Sequence, residues 1–248
     1  MSTSAAPVPE ASASSNSVRR MIGVIVSPKP TFESIVARPA WILPLIVLMV
    51  FGLATTYLYG QHIGWRPFIE KQIEESPRTA NLPQDKKNEV IDQQTKYAPI
   101  FGYVGAPVVT FGGAAIVAAL LLAAFNLLSG AKVGFKTSLA IVAYAWVPGI
   151  ILQLLGILMI FIKDPSTVDI QNLVASNAGA FVPDGSPKWL VSLGGSLDIF
   201  SFWYMALMGI GFSATNPRKI TFGKAFGTAF SCWVLWVVVK VGLTAAFS

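Results

Sequence analysis

One cysteine, Cys232, and one histidine, His62, are all that 248 residues supply of the two side chains most used to bind zinc. That scarcity excludes an intrachain disulfide and a His/Cys metal centre, and no cofactor is expected. Charge is scarce as well, at 12% of residues against 54% hydrophobic, with a mean hydropathy of +0.61. A water-soluble domain with an ordinary charged surface is therefore excluded. Catalytic signatures are missing too: there is no metalloprotease helix and no nucleophile elbow. The nearest approach to a phosphate loop, "GAKVGFKT" at 130–137, has the wrong spacing and no preceding strand, and it reads as a turn into a helix. No catalytic, cofactor-binding or metal residue is assigned, and an enzyme is not expected. Residues 1–18, "MSTSAAPVPEASASSNSV", are small and polar with no apolar signal core, and are expected to be a disordered tail.

What is present is a set of long apolar windows of about 20 residues, the length that carries an α-helix across about 30 Å of hydrocarbon. The shorter alternating segments of a membrane barrel are absent. The expected fold is all-α, a bundle of five transmembrane helices over residues 19–248, with spans at about 41–59, 100–128, 137–162, 189–212 and 225–247. Pro148 is expected to kink the third span, because proline removes a backbone donor. Residues 21–37 carry prolines 28 and 30 and an apolar face at Phe32, Ile35 and Val36, with Ser27 or Thr31 as cap; they read as a short amphipathic segment at the membrane interface. The first span ends in an aromatic cluster, Tyr57, Tyr59 and Trp65. A polar extracytoplasmic insert, 61–97, holds six basic and six acidic residues, too few apolar ones for a core of its own.

The net charge of +6 sits at the ends of apolar segments and forms no dense tract, so it reads as a topology signal, and no nucleic-acid partner is expected. Both short loops, around Lys132 and Lys136 and around Arg218, Lys219 and Lys224, are basic without any acid. That places the N-terminus in the cytoplasm and the C-terminus outside.

Two charges interrupt the apolar windows. Asp198 lies in "SLDIFSFWYMALMGIGF" and Lys240 in the last span. An isolated charge near the bilayer centre costs at least about 2.5–3.5 kcal/mol on insertion scales. The short loop between the spans makes them antiparallel neighbours, and a lysine leaning toward its helix N-terminus comes to the level of Asp198, so an intramembrane ion pair is expected. Gly194, Gly195 and Ser201 share the face of Asp198, and Gly223, Gly227 and Ser231 recur every four residues; both sets are expected to admit a close neighbour helix.

"SPKPTFESIVARPAWILPL" before and into the first span, "GFKTSLAIVAYAWVPGII" across the loop and third span, and "LDIFSFWYMALMGIGF" followed by "KITFGKAF" resemble the Yip family, the Ypt/Rab-interacting type of integral membrane domain. The resemblance covers roughly residues 20–248. It implies five helices and a cytoplasmic N-terminus, and for eukaryotic members an association with Rab-type GTPases and vesicle traffic. Here "TTYLYGQ" lacks the acidic residue of the corresponding eukaryotic motif and the N-terminal segment is short, so GTPase binding is not carried over and the chain looks like a prokaryotic member of the inner membrane. The expected function is a non-enzymatic scaffold or membrane-organising, trafficking-like factor with membrane lipids, a homo-oligomer or a membrane protein as partners. The alternative is a small-solute transporter, or a subunit of one, using Asp198 and Lys240.

Overall fold

The computed structural model describes residues 10–246 apart from 75, 77, 78, 80, 166, 167, 169 and 184. Regular structure among them is helical, with one isolated antiparallel bridge and no strand. Four helices are long and apolar enough to cross a membrane: α3 (Ile42–His62), the continuous Gln84–Ser129 helix, the kinked Phe135–Ile162 pair and α11 (Phe222–Ala246). The expected span at 189–212 is broken at Leu197 and Asp198 into α9 (Lys188–Ser196) and α10 (Ile199–Thr215), neither of which has the length of the other four.

The N-terminal region differs from its expected form. Helix α1 (Glu10–Val26) begins inside the segment expected to be disordered, whose residues 1–9 lie outside the described residues. Helix α2 (Pro28–Ala37) follows immediately, with Pro28 in the first turn, where its missing N–H costs nothing. The apolar face of α2 is not spent on the membrane interface. Phe32 and Ile35 are fully buried in the main core, against α7 and α10. Arg20 staples the pair: its guanidinium donates to Ser34 Oγ at 3.0 Å, Ser34 O at 2.9 Å and Arg38 O at 3.0 Å. The exposed large apolar residues of α1 include Val18, Ile22 and Ile25, a stripe at four- and three-residue steps, and Val26 at its end.

The Gln84–Ser129 helix comprises α5 (Gln84–Pro107), a π-helical turn (Val108–Gly112) and α6 (Gly113–Ser129). Pro107 lacks the N–H that the α-ladder needs, and the turn widens directly after it. At 1.5 Å per residue the whole helix is about 69 Å long, so about half projects beyond a bilayer. The projecting half packs on α4 (Arg66–Glu74) through Ile69, Ile73, Ile91 and Ala98. Arg66 bridges the two helices, bonding Glu70 and Asp92 at 2.6 Å each. Those hydrogen bonds, Asp92 first, raise the guanidinium above its usual pKa. Of the expected aromatic cluster, Tyr57 is exposed, whereas Tyr59 is buried and meets Trp65 edge-on at 5.7 Å.

Helix α7 (Phe135–Ala145) is the axis of the bundle, because every residue from Ser138 to Ala145 is buried. Its run of small residues lets α2, α3, α6 and α10 approach from all sides. Ser138 Oγ donates to Ala118 O of α6 at 2.7 Å. The chain turns at Trp146 and Val147, and α8 (Gly149–Ile162) restarts after Pro148. Phe125 and Phe212 stack at 4.2 Å in the same core.

Helices α9 and α10 run antiparallel to α11 along its whole length. Ser192 meets Thr244, Ser196 meets Lys240, Phe202 meets Trp233, and Gly209 lies on Phe222 and Phe226. The glycines that permit close approach between helices are not those expected. A Cβ at Gly209 would lie 3.2 Å from the Phe226 backbone, and one at Gly211 would lie 2.5 Å from Ile141 and 2.9 Å from Phe32. A Cβ at Gly223 or Gly227 would meet nothing within 4 Å. Gly211→Ala is therefore expected to cost about 1–3 kcal/mol by overpacking, and Gly227→Ala under about 0.5 kcal/mol. Thermal unfolding of the two variants in detergent, with equal losses, would show the helix-packing assignment to be wrong.

Candidate functional site

The sequence around the break, "SLGGSLDIF", explains why one apolar segment becomes two helices. Two glycines weaken the end of α9, and Ser196 Oγ turns back to donate to Ser192 O at 2.8 Å. Leu197 and Asp198 leave the helical region, with Asp198 extended at φ −108° and ψ 135°. Asp198 then acts as N-cap of α10, its Oδ1 accepting from Phe200 N at 2.7 Å. Its Oδ2 accepts from Ser176 Oγ at 2.6 Å.

Ser176 belongs to the segment that folds back from α8. Asn177 and Asp198 form the isolated bridge: Ile199 N donates to Ser176 O and Ala178 N to Leu197 O, each at 3.1 Å. Backbone groups freed by the break thus find partners on the incoming loop. Gly179 and Gly194 make this contact possible, since a Cβ at Gly194 would lie 2.8 Å from Gly179 Cα. Asn177 orders the next turn, accepting from Ala180 N at 3.2 Å and donating to Asn172 Oδ1 at 3.1 Å.

Lys240 stands on the other side of α9. Its ammonium donates to Ser196 Oγ at 3.1 Å and Ser192 O at 3.4 Å. Asp198 and Lys240 therefore do not form the expected ion pair. Among the described residues the ion pairs are Arg66 with Glu70 and Asp92, and Lys86 with Glu89. The reason is the break itself: the extended backbone turns the carboxylate toward the loop, while Lys240 sits level with Ser196, within the last turn of α9.

Gly194 packs on the loop rather than on a neighbouring helix, and a Cβ at Gly195 would meet nothing within 4 Å. Ser201 is half-buried on α10. Gly223, Gly227 and Ser231 line a groove instead of a helix contact. Pro148 stands at the N-cap of α8, directly before the point where a Cβ at Gly149 would lie 2.9 Å from the Tyr204 hydroxyl. A third polar contact crosses the bundle nearby, Thr55 Oγ1 donating to Gln153 Oε1 at 2.9 Å between α3 and α8.

Sequence reasoning missed Ser176, Asn177, Ser192 and Ser196. Serine is common in apolar helices and nothing in spacing alone pairs residue 176 with 198. The cap preference of aspartate and the double glycine before it were the readable signal for the break. Chemically the arrangement clamps a loop to a helix start, and both carboxylate oxygens are occupied in doing so. No three His, Cys, Asp or Glu side chains among the described residues come together as metal ligands.

Removing the cap tests this account. Asp198→Ala is expected to cost about 1–2 kcal/mol, and Asp198→Asn less, because an amide oxygen still accepts from Phe200 N. Combined with Lys240→Met, Asp198→Asn is expected to be additive within about 0.5 kcal/mol. A double-mutant cycle with a larger coupling would reinstate the ion pair.

No curated relative and no solved structure matches this chain. The Yip1 domain does, over residues 22–243, which takes in α2 through nearly all of α11. With four helices of membrane-crossing length, a matched region that ends three residues after Lys240, and no segment of the bundle outside it except the start of α1 and the last turn of α11, the chain is an integral membrane protein and belongs to the Yip1 domain family.

Proposed function

We propose that the chain is a non-enzymatic scaffold, a membrane-organising factor of a prokaryotic cytoplasmic membrane that works through helix and lipid contacts. The observation that carries this reading is how the polar groups within the apolar helices are used. Asp198 is held by Ser176 and a backbone N–H, Lys240 by Ser196 and Ser192, and Gln153 by Thr55. Each is engaged by another element of the same chain, which favours a role in holding helices over one along a solute path. The large exposed apolar faces of the Gln84–Ser129 helix and of α11, including Val108, Val109, Leu127, Leu235 and Trp236, are available for lipid or for a partner helix.

In this reading α9 and α10 together make a fifth pass. Their side-by-side register with α11 from Thr244 to Phe222 supports it, since a segment that follows a spanning helix end to end has to span as well. The N-terminus lies on the cytoplasmic side, where α1, α2 and the two short loops gather nine basic residues, and the C-terminus lies outside. GTPase binding is not part of the proposal.

The competing transport reading draws on the broken helix at Asp198, a form that solute sites adopt in carriers. Asp198→Asn separates the two. On the scaffold reading the melting temperature and the capture of a cross-linked membrane-protein or homo-oligomeric partner from mild detergent fall together, and proteoliposomes show no gradient-driven uptake before or after the change. Uptake by the native protein that is lost in a normally folded variant would refute the scaffold.

A further inference from the structure

The two short loops carry basic residues and no acid. No acidic residue occurs between Asp92 and Asp164, and none follows Asp198. Helix α6, the turn after it, α7 and the whole α10–α11 hairpin are therefore without a carboxylate, yet they carry Lys132, Lys136, Arg218, Lys219 and Lys224. The last three converge on one open groove of about 720 Å³ between the end of α6 and the first turns of α11. Arg218, Lys219 and Lys224 are exposed, and among the described residues their charged groups make no ion pair.

Below this cationic mouth the groove changes character. Its floor is the Gly223, Gly227 and Ser231 stripe of α11, and it continues to Cys232. From Gly223 to Cys232 is about 14 Å of helix rise, deeper than a phosphate group needs. Leu128 at the end of α6, 76% exposed, gives the groove an apolar wall beside Ser129 and Thr228, and Leu127, Leu235 and Trp236 continue the exposed apolar surface outside it. A site with three unmatched cations at its rim and an apolar channel running inward has the chemistry of a ligand with an anionic head and a hydrocarbon tail. Three other basic side chains are used differently. Arg66 and Lys86 are matched by acids, and Arg20 is spent on Ser34 and Arg38.

The geometry points to an anionic phospholipid as the occupant of this groove, its phosphodiester held by Arg218, Lys219 and Lys224 and one acyl chain laid along Gly223 and Gly227. The inference deepens the lipid half of the proposed function and rests on it in placing the chain in a bilayer. Cβ atoms added at Gly223 and Gly227 meet nothing, which gives a way to fill the channel without touching the fold or the charges.

The test is native mass spectrometry of the purified full-length protein in neutral detergent with added dioleoylphosphatidylglycerol or dioleoylphosphatidylcholine. One phosphatidylglycerol is expected to stay bound, with phosphatidylcholine released. The combined change Arg218→Gln, Lys219→Gln and Lys224→Gln should weaken retention on the order of 100-fold. Gly227→Leu should weaken it at least about tenfold with all charges intact, so a folding failure of the charge variant leaves the proposal testable. Lys86→Gln, Lys87→Gln and Lys96→Gln, an equal loss of charge at the far end, should leave retention unchanged. Equal retention of both lipids, equal loss in the far-end control, or unaltered retention in Gly227→Leu would overturn the proposal. So would binding of soluble glycerol phosphate as tight as that of the lipid, or a dimer that Gly227→Leu converts to monomer while lipid retention stays the same. Lost lipid selectivity with partner capture intact would sink this inference and leave the scaffold standing.

Discussion

A helix interrupted inside an apolar bundle exposes backbone groups that hydrocarbon cannot satisfy, and each unmet one costs several kcal/mol. The break at Leu197 and Asp198 meets that demand with the incoming 176–178 segment and with the carboxylate of Asp198, which supplies a capping acceptor where water would otherwise be required. Much of the architecture depends on this. The loop after α8 has to return to the α9–α10 junction, glycines have to stand at 179 and 194 so that the backbones can touch, and Ser176 has to face the second carboxylate oxygen. A charged residue that costs energy in hydrocarbon is thereby turned into the fastener of an otherwise unsatisfied bend.

The same logic separates the two ends of the molecule. At the end that holds the break, order comes from directed polar contacts: Asp198 with Ser176, Lys240 with Ser192 and Ser196, Arg66 with Glu70 and Asp92. At the other end packing joins the hydrogen bonds of Arg20 and Ser138: Phe32 lies beside Gly211, Phe125 on Phe212, and the all-buried α7 between them. Hydrogen bonds in a low-dielectric interior fix geometry sharply, whereas contacts of small and aromatic groups fix distance and leave the polar rim unconstrained. At the rim of the packed end Arg218, Lys219 and Lys224 are exposed.

Helix content, the membrane-crossing segments and the turn at Pro148 were legible because apolar length and proline chemistry act locally. The fate of Asp198 and Lys240 was not. Matching depth along two antiparallel helices brings them level but says nothing of the direction of either side chain, and the double glycine followed by aspartate, a stop and a cap, turns the carboxylate toward the loop. The four-residue glycine stripe misled for a related reason. Spacing shows that a face is smooth but not whether anything lies on it, and the tight contacts went to Gly209 and Gly211, which have no such spacing. For α1 and α2 the amphipathic pattern was right in kind, yet it did not reveal that the bundle itself covers Phe32 and Ile35.

Smooth faces that meet nothing are informative once the filled ones are known. In this bundle glycine is used wherever two elements approach to the limit: Gly179 with Gly194, Gly211 with Phe32 and Ile141, Gly149 with Tyr204. Gly223 and Gly227, like Gly105, Gly112, Gly195 and Gly242, meet nothing within 4 Å; these two line the groove beside Arg218, Lys219 and Lys224. Glycine in the first turns of a spanning helix weakens it by roughly 0.5–1 kcal/mol per residue relative to alanine. At Gly223 and Gly227 the shape obtained is a groove that begins at three cations and continues to Cys232. Packing inside the chain accounts for the close glycines named above, and for these two the proposed lipid supplies the contact that the chain does not.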